Sequence, residues 1–349
     1  GRMNGRPENF ASAFIYSDEL ANFQYSPTHP FKPIRAKLTM DLCRRYGLIE
    51  RPWIRIVKPE PLSLEAMAEF HDETYLKALQ AVDSSALTSE LRPGVPPGHE
   101  TDSFTIDPQI LKYELGTDDN PIFTGVYDYS ALAAGATLVG AKMVASGQVQ
   151  VAFNPVGGFH HAAPAHAEGF CYVNDVGVAI THLLKDGLRV AFVDIDAHHC
   201  NGVQDAFYRD DRVLVISLHE TGRGLYPWSG FESEIGEGKG RGYNVNVPLP
   251  KQTDDEAFVR AFEEIVPPLL EAYAPDIVIA ELGADTHISD PLTHLSMTNL
   301  GYCQVVEKLT ERVPRLLALG GGGYDVYKTT RSWTLAWAIM NHLEPRDEY

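Results

Sequence analysis

Six short apolar runs, at residues 150–153, 189–194, 212–218, 243–247, 276–281 and 315–319, constrain this chain more than any other feature. Runs of this length without polar alternation read as strands buried on both faces. Segments of helical length lie among them, at 126–146, 173–185, 298–312 and 331–343. Thr253-x-x-Glu256 has the form of a capping box and opens a further helix running toward Tyr273, which Pro267 and Pro268 are expected to kink or interrupt. Strands alternating with helices imply an α/β fold with a parallel sheet covered on both faces. There is no internal repeat and no low-complexity linker. The Pro/Gly-rich stretch 92–98 reads as an exposed excursion from one domain, so residues 1–349 are expected to form a single domain. Gly1–Arg2 are set aside as foreign residues, and 1–10 as a tag or disordered stretch.

The chemistry-bearing residues follow the expected strands directly. The first run leads to Gly157-Gly158-Phe159-His160-His161, the second to Asp194-Ile195-Asp196-Ala197-His198-His199. The fifth leads to Gly283-Ala284-Asp285 and the sixth to Gly320-Gly321-Gly322-Gly323-Tyr324. Ligands of open parallel sheets bind beyond the carboxyl ends of the strands, so four such ends point to one convergent site. In extended chain, residues two apart share a side, which puts Asp194, Asp196 and His198 in step. Carboxylate plus imidazole suits a divalent ion such as zinc or ferrous iron, and Asp285 can complete the set. His160 and His161 read as further ligands, as a base, or as surface histidines. A Gly run lets backbone approach a ligand, and the Tyr324 phenol can polarise a carbonyl. The same run also reads as a flexible loop or a phosphate cradle, although no P-loop Lys-Ser/Thr follows it.

Composition narrows the class. With 29 Lys+Arg against 47 Asp+Glu the formal charge is −18, which argues against a nucleic-acid binder and allows a cationic substrate or partner. No stretch is long and apolar enough for a transmembrane helix, so no membrane association is expected. Cys43, Cys171, Cys200 and Cys303 form no C-x-x-C motif and read as free thiols of a reducing, cytoplasmic compartment.

Together with Glu168-Gly169-Phe170-Cys171-Tyr172-Val173-Asn174-Asp175, these motifs resemble the zinc-dependent histone deacetylase family, most closely its class I and bacterial acetoin-utilisation-type members. The resemblance runs from about residue 14 to about residue 340. It implies one arginase/deacetylase-type α/β domain with a central, mostly parallel sheet of about eight strands. It also implies hydrolysis of acetyl-lysine in proteins or peptides, or of small acetylated amines such as acetylpolyamines. The implied zinc ligands are Asp196, His198 and Asp285. His161 would be the general base and then acid, His160 an electrostatic neighbour held by Asp194, and Tyr324 the hydrogen-bond donor to the substrate oxyanion. Phe170 and Tyr226 would wall a narrow tube, and Gly169 would accept from the substrate nitrogen. Asp119 would hold the substrate backbone at the rim, Leu292 would form an apolar gate, and Arg35 would lie near an internal acetate-release cavity. A potassium ion is implied on the side chains of Asp194, Asp196 and Ser217 and the carbonyls of His198 and Leu218.

The chain departs from the class I pattern at several points. Asn201 stands where those enzymes carry an aspartate as partner of His161, which should lower the pKa of that histidine. Cys200 replaces a usual glycine, with either a crowded turn or an exposed thiol as the consequence. Tyr226 replaces a usual phenylalanine, with its hydroxyl expected at the rim. Pro291 and Tyr327 occupy positions of inositol-phosphate-binding arginines, so the resemblance does not extend to corepressor assembly. The sequence leaves the oligomeric state open.

Overall fold

Among the described residues eight strands pair in parallel throughout: β1 (Ser12–Ile15), β2 (Ile54–Val57), β3 (Val151–Asn154), β4 (Val190–Asp194), β5 (Val213–Glu220), β6 (Asn244–Leu249), β7 (Ile277–Glu281) and β8 (Leu316–Leu319). Their order across the sheet is β2-β1-β3-β8-β7-β4-β5-β6. The structure is a computed structural model and describes residues 5–83 and 107–345; Gly1–Arg2 and the 92–98 stretch lie outside the described residues. Phe10 is buried, with its ring edge-on to His342, so the tail set aside as 1–10 joins the core at its end.

Every residue of β3, β4, β5, β7 and β8 is buried, as continuous apolar runs in a two-sided sheet require. β1 and β2 were not legible as strands. Each has only four residues, and β2 is an edge strand whose pattern Ile-Arg-Ile-Val leaves Arg55 and Ile56 exposed. The charge on that edge hinders pairing with another chain.

The longer helices are α1 (Ile34–Arg45), α2 (Glu73–Val82), α3 (Val126–Ala145), α4 (Asp175–Lys185), α5 (Asn201–Ala206), α6 (Asp255–Tyr273), α7 (Asn299–Arg312) and α8 (Val326–Met340). Met40 of α1, Phe258 and Phe262 of α6, Val305 of α7 and Trp333 and Trp337 of α8 share one core with Val193, Ile216 and Leu316 of the sheet. Ala141 and Val144 of α3, Ile180 of α4 and Val203 of α5 share another with Phe192, Ile279 and Leu317. The small residues of α3 permit close approach: a Cβ on Gly140 would meet Leu317 Cδ1 at 2.9 Å.

Three helix expectations need correction. The cap of α6 is Asp254, whose carboxylate accepts from the Ala257 N–H at 3.0 Å; the Thr253 hydroxyl instead donates to the Pro250 carbonyl. Pro267 and Pro268 lie inside a continuous α6. The residues four positions earlier, Glu263 and Glu264, are exposed, so water can satisfy the carbonyls that the prolines cannot serve. Helix α8 also begins earlier than the expected 331, capped by the Asp325 carboxylate on the Lys328 N–H.

His71 ties the segment before α2 to the loop that carries the histidine motif. Its Nδ1 lies 3.1 Å from the Pro164 carbonyl, and its Nε2 accepts from the Asn174 N–H at 2.9 Å. Burial lowers its pKa to about 4, against carbonyl contacts that raise it. The folded state therefore excludes a proton that the unfolded chain takes up near pH 6.5. The stability is fully present above that pH and is lost as pH falls toward 4, by up to about 3 kcal/mol. The melting temperature should drop steeply between pH 6.5 and 4.5 in a thermal-shift series. His71→Gln, which keeps a donor and an acceptor but no titrating ring, should flatten that slope.

Candidate active site

The strands that deliver the motifs, β3, β8, β7 and β4, are consecutive in the centre of the sheet. Their carboxyl ends place His160, His161, Asp194, Asp196, His198, Asp285 and the Gly run in one buried cluster. Asp196, His198 and Asp285 have ligand atoms within 4.8 Å of one another. His198 Nδ1 lies 2.8 Å from Asp285 Oδ2 and 3.5 Å from Asp196 Oδ1. Burial pushes the His198 pKa down, but hydrogen bonds and charge from the two carboxylates outweigh it and raise the pKa to about 10. Burial also raises Asp285, to about 7. The site thus demands positive charge between two carboxylates and one imidazole, the donor set of a divalent ion.

The glycines make room for this set. A Cβ on Gly283 would meet Asp196 Oδ2 at 2.2 Å, and one on Gly322 would meet Asp285 Oδ2 at 2.1 Å. The Gly322 N–H donates to Asp196 Oδ2 at 2.7 Å. Arg35 holds the run from behind. Its Nη1 donates to the carbonyls of Gly321 and Gly323 at 2.9 and 3.0 Å, and its guanidinium lies over the rings of Phe31 and Trp333.

The two histidines have opposite electrostatics. Burial works against the charge on His160, but Asp194 and Asp196 prevail and raise its pKa; Asp194 Oδ2 is 2.5 Å from its Nδ1. The His161 pKa is lowered well below the ordinary value, by burial first and then by the charges of His160 and His198. Asn201 opposes this only in part: its Oδ1 accepts from His161 Nδ1 at 2.7 Å. Neighbouring titratable groups pushed apart in this way can divide the roles of cation and base.

Around them, the Phe170 ring stands edge-on to Tyr324 at 5.8 Å, and Tyr324 edge-on to His198 at 6.3 Å. Burial, with Asp285 and Asp196 nearby, raises the Tyr324 pKa well above 10, so the phenol keeps its proton. Gly169 has φ +55, and a Cβ there would strike the His161 ring at 2.7 Å. Asp119 is exposed, and its carbonyl meets His29 Nε2 at 3.0 Å; the His29 ring packs on Phe170. Leu292 is linked to Tyr324 through Asp290, whose carboxylate accepts from both backbone N–H groups at 2.9 Å. Asp194 and Ser217 are register partners across β4 and β5, and Leu218 follows in the core.

The two substituted positions take definite places. The Tyr226 hydroxyl donates to Glu168 Oε1 at 3.0 Å, with its ring 5.4 Å from that of His161. Cys200 is buried, and burial raises its pKa well above the ordinary value, so it offers no exposed thiolate.

Several site residues escaped the sequence. Asp175 accepts from the N–H groups of Gly158 and Phe159 at 3.0 and 2.7 Å and fixes the loop bearing the histidines. Glu281, the last residue of β7, is fully buried beside His160. His160 Nδ1 is 3.0 Å from its Oε2 but aims at Asp194, and neither Glu281 oxygen has a hydrogen-bond partner. Burial first, then the charges of Asp194 and Asp196, raise its pKa well above the ordinary value. Its place at the end of an apolar strand was the only available signal.

The family profile described as "Histone deacetylase domain" matches residues 29–340. The chain is 36% identical to the acetoin utilization protein AcuC of Bacillus subtilis, over 97% of this chain and 84% of that protein. It is 38% identical to histone deacetylase 8 of Xenopus tropicalis, over 88% of this chain and 78% of that one. The crystal structure of a histone deacetylase homologue from Aquifex aeolicus superposes with a TM-score of 0.83 at 34% identity, covering 96% of this chain and 85% of the other.

Gly322 has no left-handed φ, so only space excludes a side chain there. In Gly322→Ala the new methyl should displace the Asp285 carboxylate. Metal per chain by plasma mass spectrometry should fall while the far-ultraviolet circular dichroism stays unchanged.

Proposed function

Because the chain belongs to the histone deacetylase family, a family of metal-dependent hydrolases, we propose that it removes acetyl groups from acetyl-lysine side chains of proteins or peptides. The observation that carries this reading is the opposed electrostatics of His160 and His161 beside the Asp196, His198 and Asp285 donor set. Those three residues would hold zinc, with ferrous iron as the alternative. Such a metal supplies Lewis acidity, which lowers the pKa of water and polarises an amide carbonyl.

The chain's own groups do the rest. His161, neutral and with its Nδ1 occupied by Asn201, takes a proton from water on Nε2 and returns it to the leaving amine. His160, held by Asp194, stays cationic and stabilises the developing negative charge. Tyr324 keeps its proton and donates a hydrogen bond to the carbonyl oxygen as it becomes anionic. Phe170 and Tyr226 wall the lysine stem, the Gly169 carbonyl accepts from its N–H, and Asp119 takes the substrate backbone at the rim. Leu292 gives the entrance an apolar gate, which favours a lysine side chain over a polyamine. Arg35 fixes the glycine carbonyls next to the acetate product. A potassium ion on Asp194, Asp196, Ser217 and the carbonyls of His198 and Leu218 would offset the buried carboxylate charge.

The net charge of −18 favours a second reading, deacetylation of a small cationic amine such as an acetylpolyamine. No described helix is long and apolar enough to cross a membrane. The four cysteines are free, as a cytoplasmic protein would have them.

The deciding experiment measures acetate release from an acetyl-lysine peptide and an acetylpolyamine in parallel, with chelator and zinc add-back. Chelator-sensitive turnover favouring the peptide is the expected result. Preference for the polyamine moves the substrate, and no release from either ends the hydrolytic reading. Tyr324→Phe should keep its metal and lose about 10²- to 10³-fold in kcat, as removal of one oxyanion donor does.

A further inference from the structure

Two departures from the class I pattern, Asn201 and Tyr226, meet on one atom. Glu168 Oε1 accepts from Asn201 Nδ2 at 2.9 Å and from the Tyr226 hydroxyl at 3.0 Å. Asn201 Oδ1 in turn accepts from His161 Nδ1 at 2.7 Å. The four side chains form a single file, Tyr226–Glu168–Asn201–His161, half-buried at the carboxylate and buried at the imidazole.

The order of donors and acceptors in that file is forced. An amide presents a donor at one end and an acceptor at the other, and on its own it can turn either way. A carboxylate only accepts, so Glu168 draws the Asn201 N–H₂ toward itself and leaves Oδ1 facing His161. An oxygen at that place requires His161 to carry its proton on Nδ1, and Nε2 is left with a lone pair. A His161 base needs that tautomer. An aspartate at position 201 would impose it directly; an asparagine imposes it only if something fixes the amide. Tyr226 in turn anchors the carboxylate.

We propose that Glu168 is a positioning residue that sets the tautomer of His161 through the Asn201 amide, making up for the missing aspartate. The role rests on the reading of His161 as the base. Glu168 also commits the site to an asparagine. An aspartate at 201 would set two carboxylates at a distance now spanned by a hydrogen bond, and their repulsion would spoil the pair.

The test is a cycle of Glu168→Gln, Asn201→Asp and the double variant, read in two ways. In turnover of an acetyl-lysine peptide by the zinc-loaded protein, Glu168→Gln should lose about 10- to 100-fold in kcat, the usual cost of a lost outer partner. Its KM should stay within about twofold, since no substrate contact is removed. Asn201→Asp should also lose kcat, and the double variant should recover most of it, because the introduced glutamine amide can then donate to the introduced carboxylate. In parallel, the ring ¹⁵N shifts of His161, assigned with His161→Gln, should show the Nδ1–H tautomer in the parent, a mixture in Glu168→Gln, and the Nδ1–H form again in the double variant. A Glu168→Gln protein that keeps both kcat and a single tautomer overturns the proposal. So does a double variant no better than the poorer single one. If the parent does not turn over the peptide, the acetyl-lysine reading fails, and the nitrogen shifts still decide the role of Glu168.

Discussion

The structure is organised around buried negative charge. Asp175, Asp194, Asp196, Glu281 and Asp285 are almost wholly withdrawn from water at the carboxyl ends of the central strands and the loops that follow them. Carboxylates this deep are tolerated only when paired, hydrogen-bonded, protonated or bound to a cation. Asp175 is capped by backbone N–H groups, Asp194 is paired with His160, the pKa of Glu281 is pushed up by burial, and Asp196 and Asp285 share His198. The rigid sheet keeps these groups together against their repulsion; Asp194 and Asp196 raise the pKa of His160, whereas burial and the charges of His160 and His198 lower that of His161.

Much of this was legible in the sequence for physical reasons. Apolar runs of both-sided strands stand out, and D-x-D-x-H at a strand end puts three side chains in step. Asp196, His198 and Asp285 have ligand atoms within 4.8 Å of one another, and the rings of His160 and His161 stand 4.2 Å apart. The illegible parts depend on distant partners. Asp290 looks like a turn residue before proline, and only the fold shows it tying Leu292 to Tyr324. Glu168 was visible within a motif, but its role exists only because Asn201 and Tyr226, 33 and 58 residues away, reach the same oxygen. β1 and β2 escaped notice because four residues with a serine or an arginine among them carry too little pattern. The capping-box pattern at Thr253 was present, but its hydroxyl found a nearer carbonyl and Asp254 took the role one residue on.

Asn201 shows why residue type alone misleads beside a buried histidine. Read alone, it is a weaker partner for an imidazole. Read with its neighbours, it is the amide link of a file whose carboxylate stands one residue further out. The tautomer proposed for His161 therefore depends on four side chains, and single-position comparison with an aspartate-bearing relative sees only one of them.

The strand order has a consequence for biosynthesis. β8, the last strand in the chain, lies between β3 and β7 in the middle of the sheet. A chain leaving the ribosome can form β2-β1-β3 and β7-β4-β5-β6 as separate ribbons, each with an apolar inner edge lacking its neighbour. Only residues 316–319 join them, and the same stretch brings the glycine run that closes over Asp196 and Asp285. Until β8 arrives each ribbon keeps an unpaired apolar edge, which is a template for another chain. Closure of the sheet and closure of the glycine run over Asp196 and Asp285 then coincide.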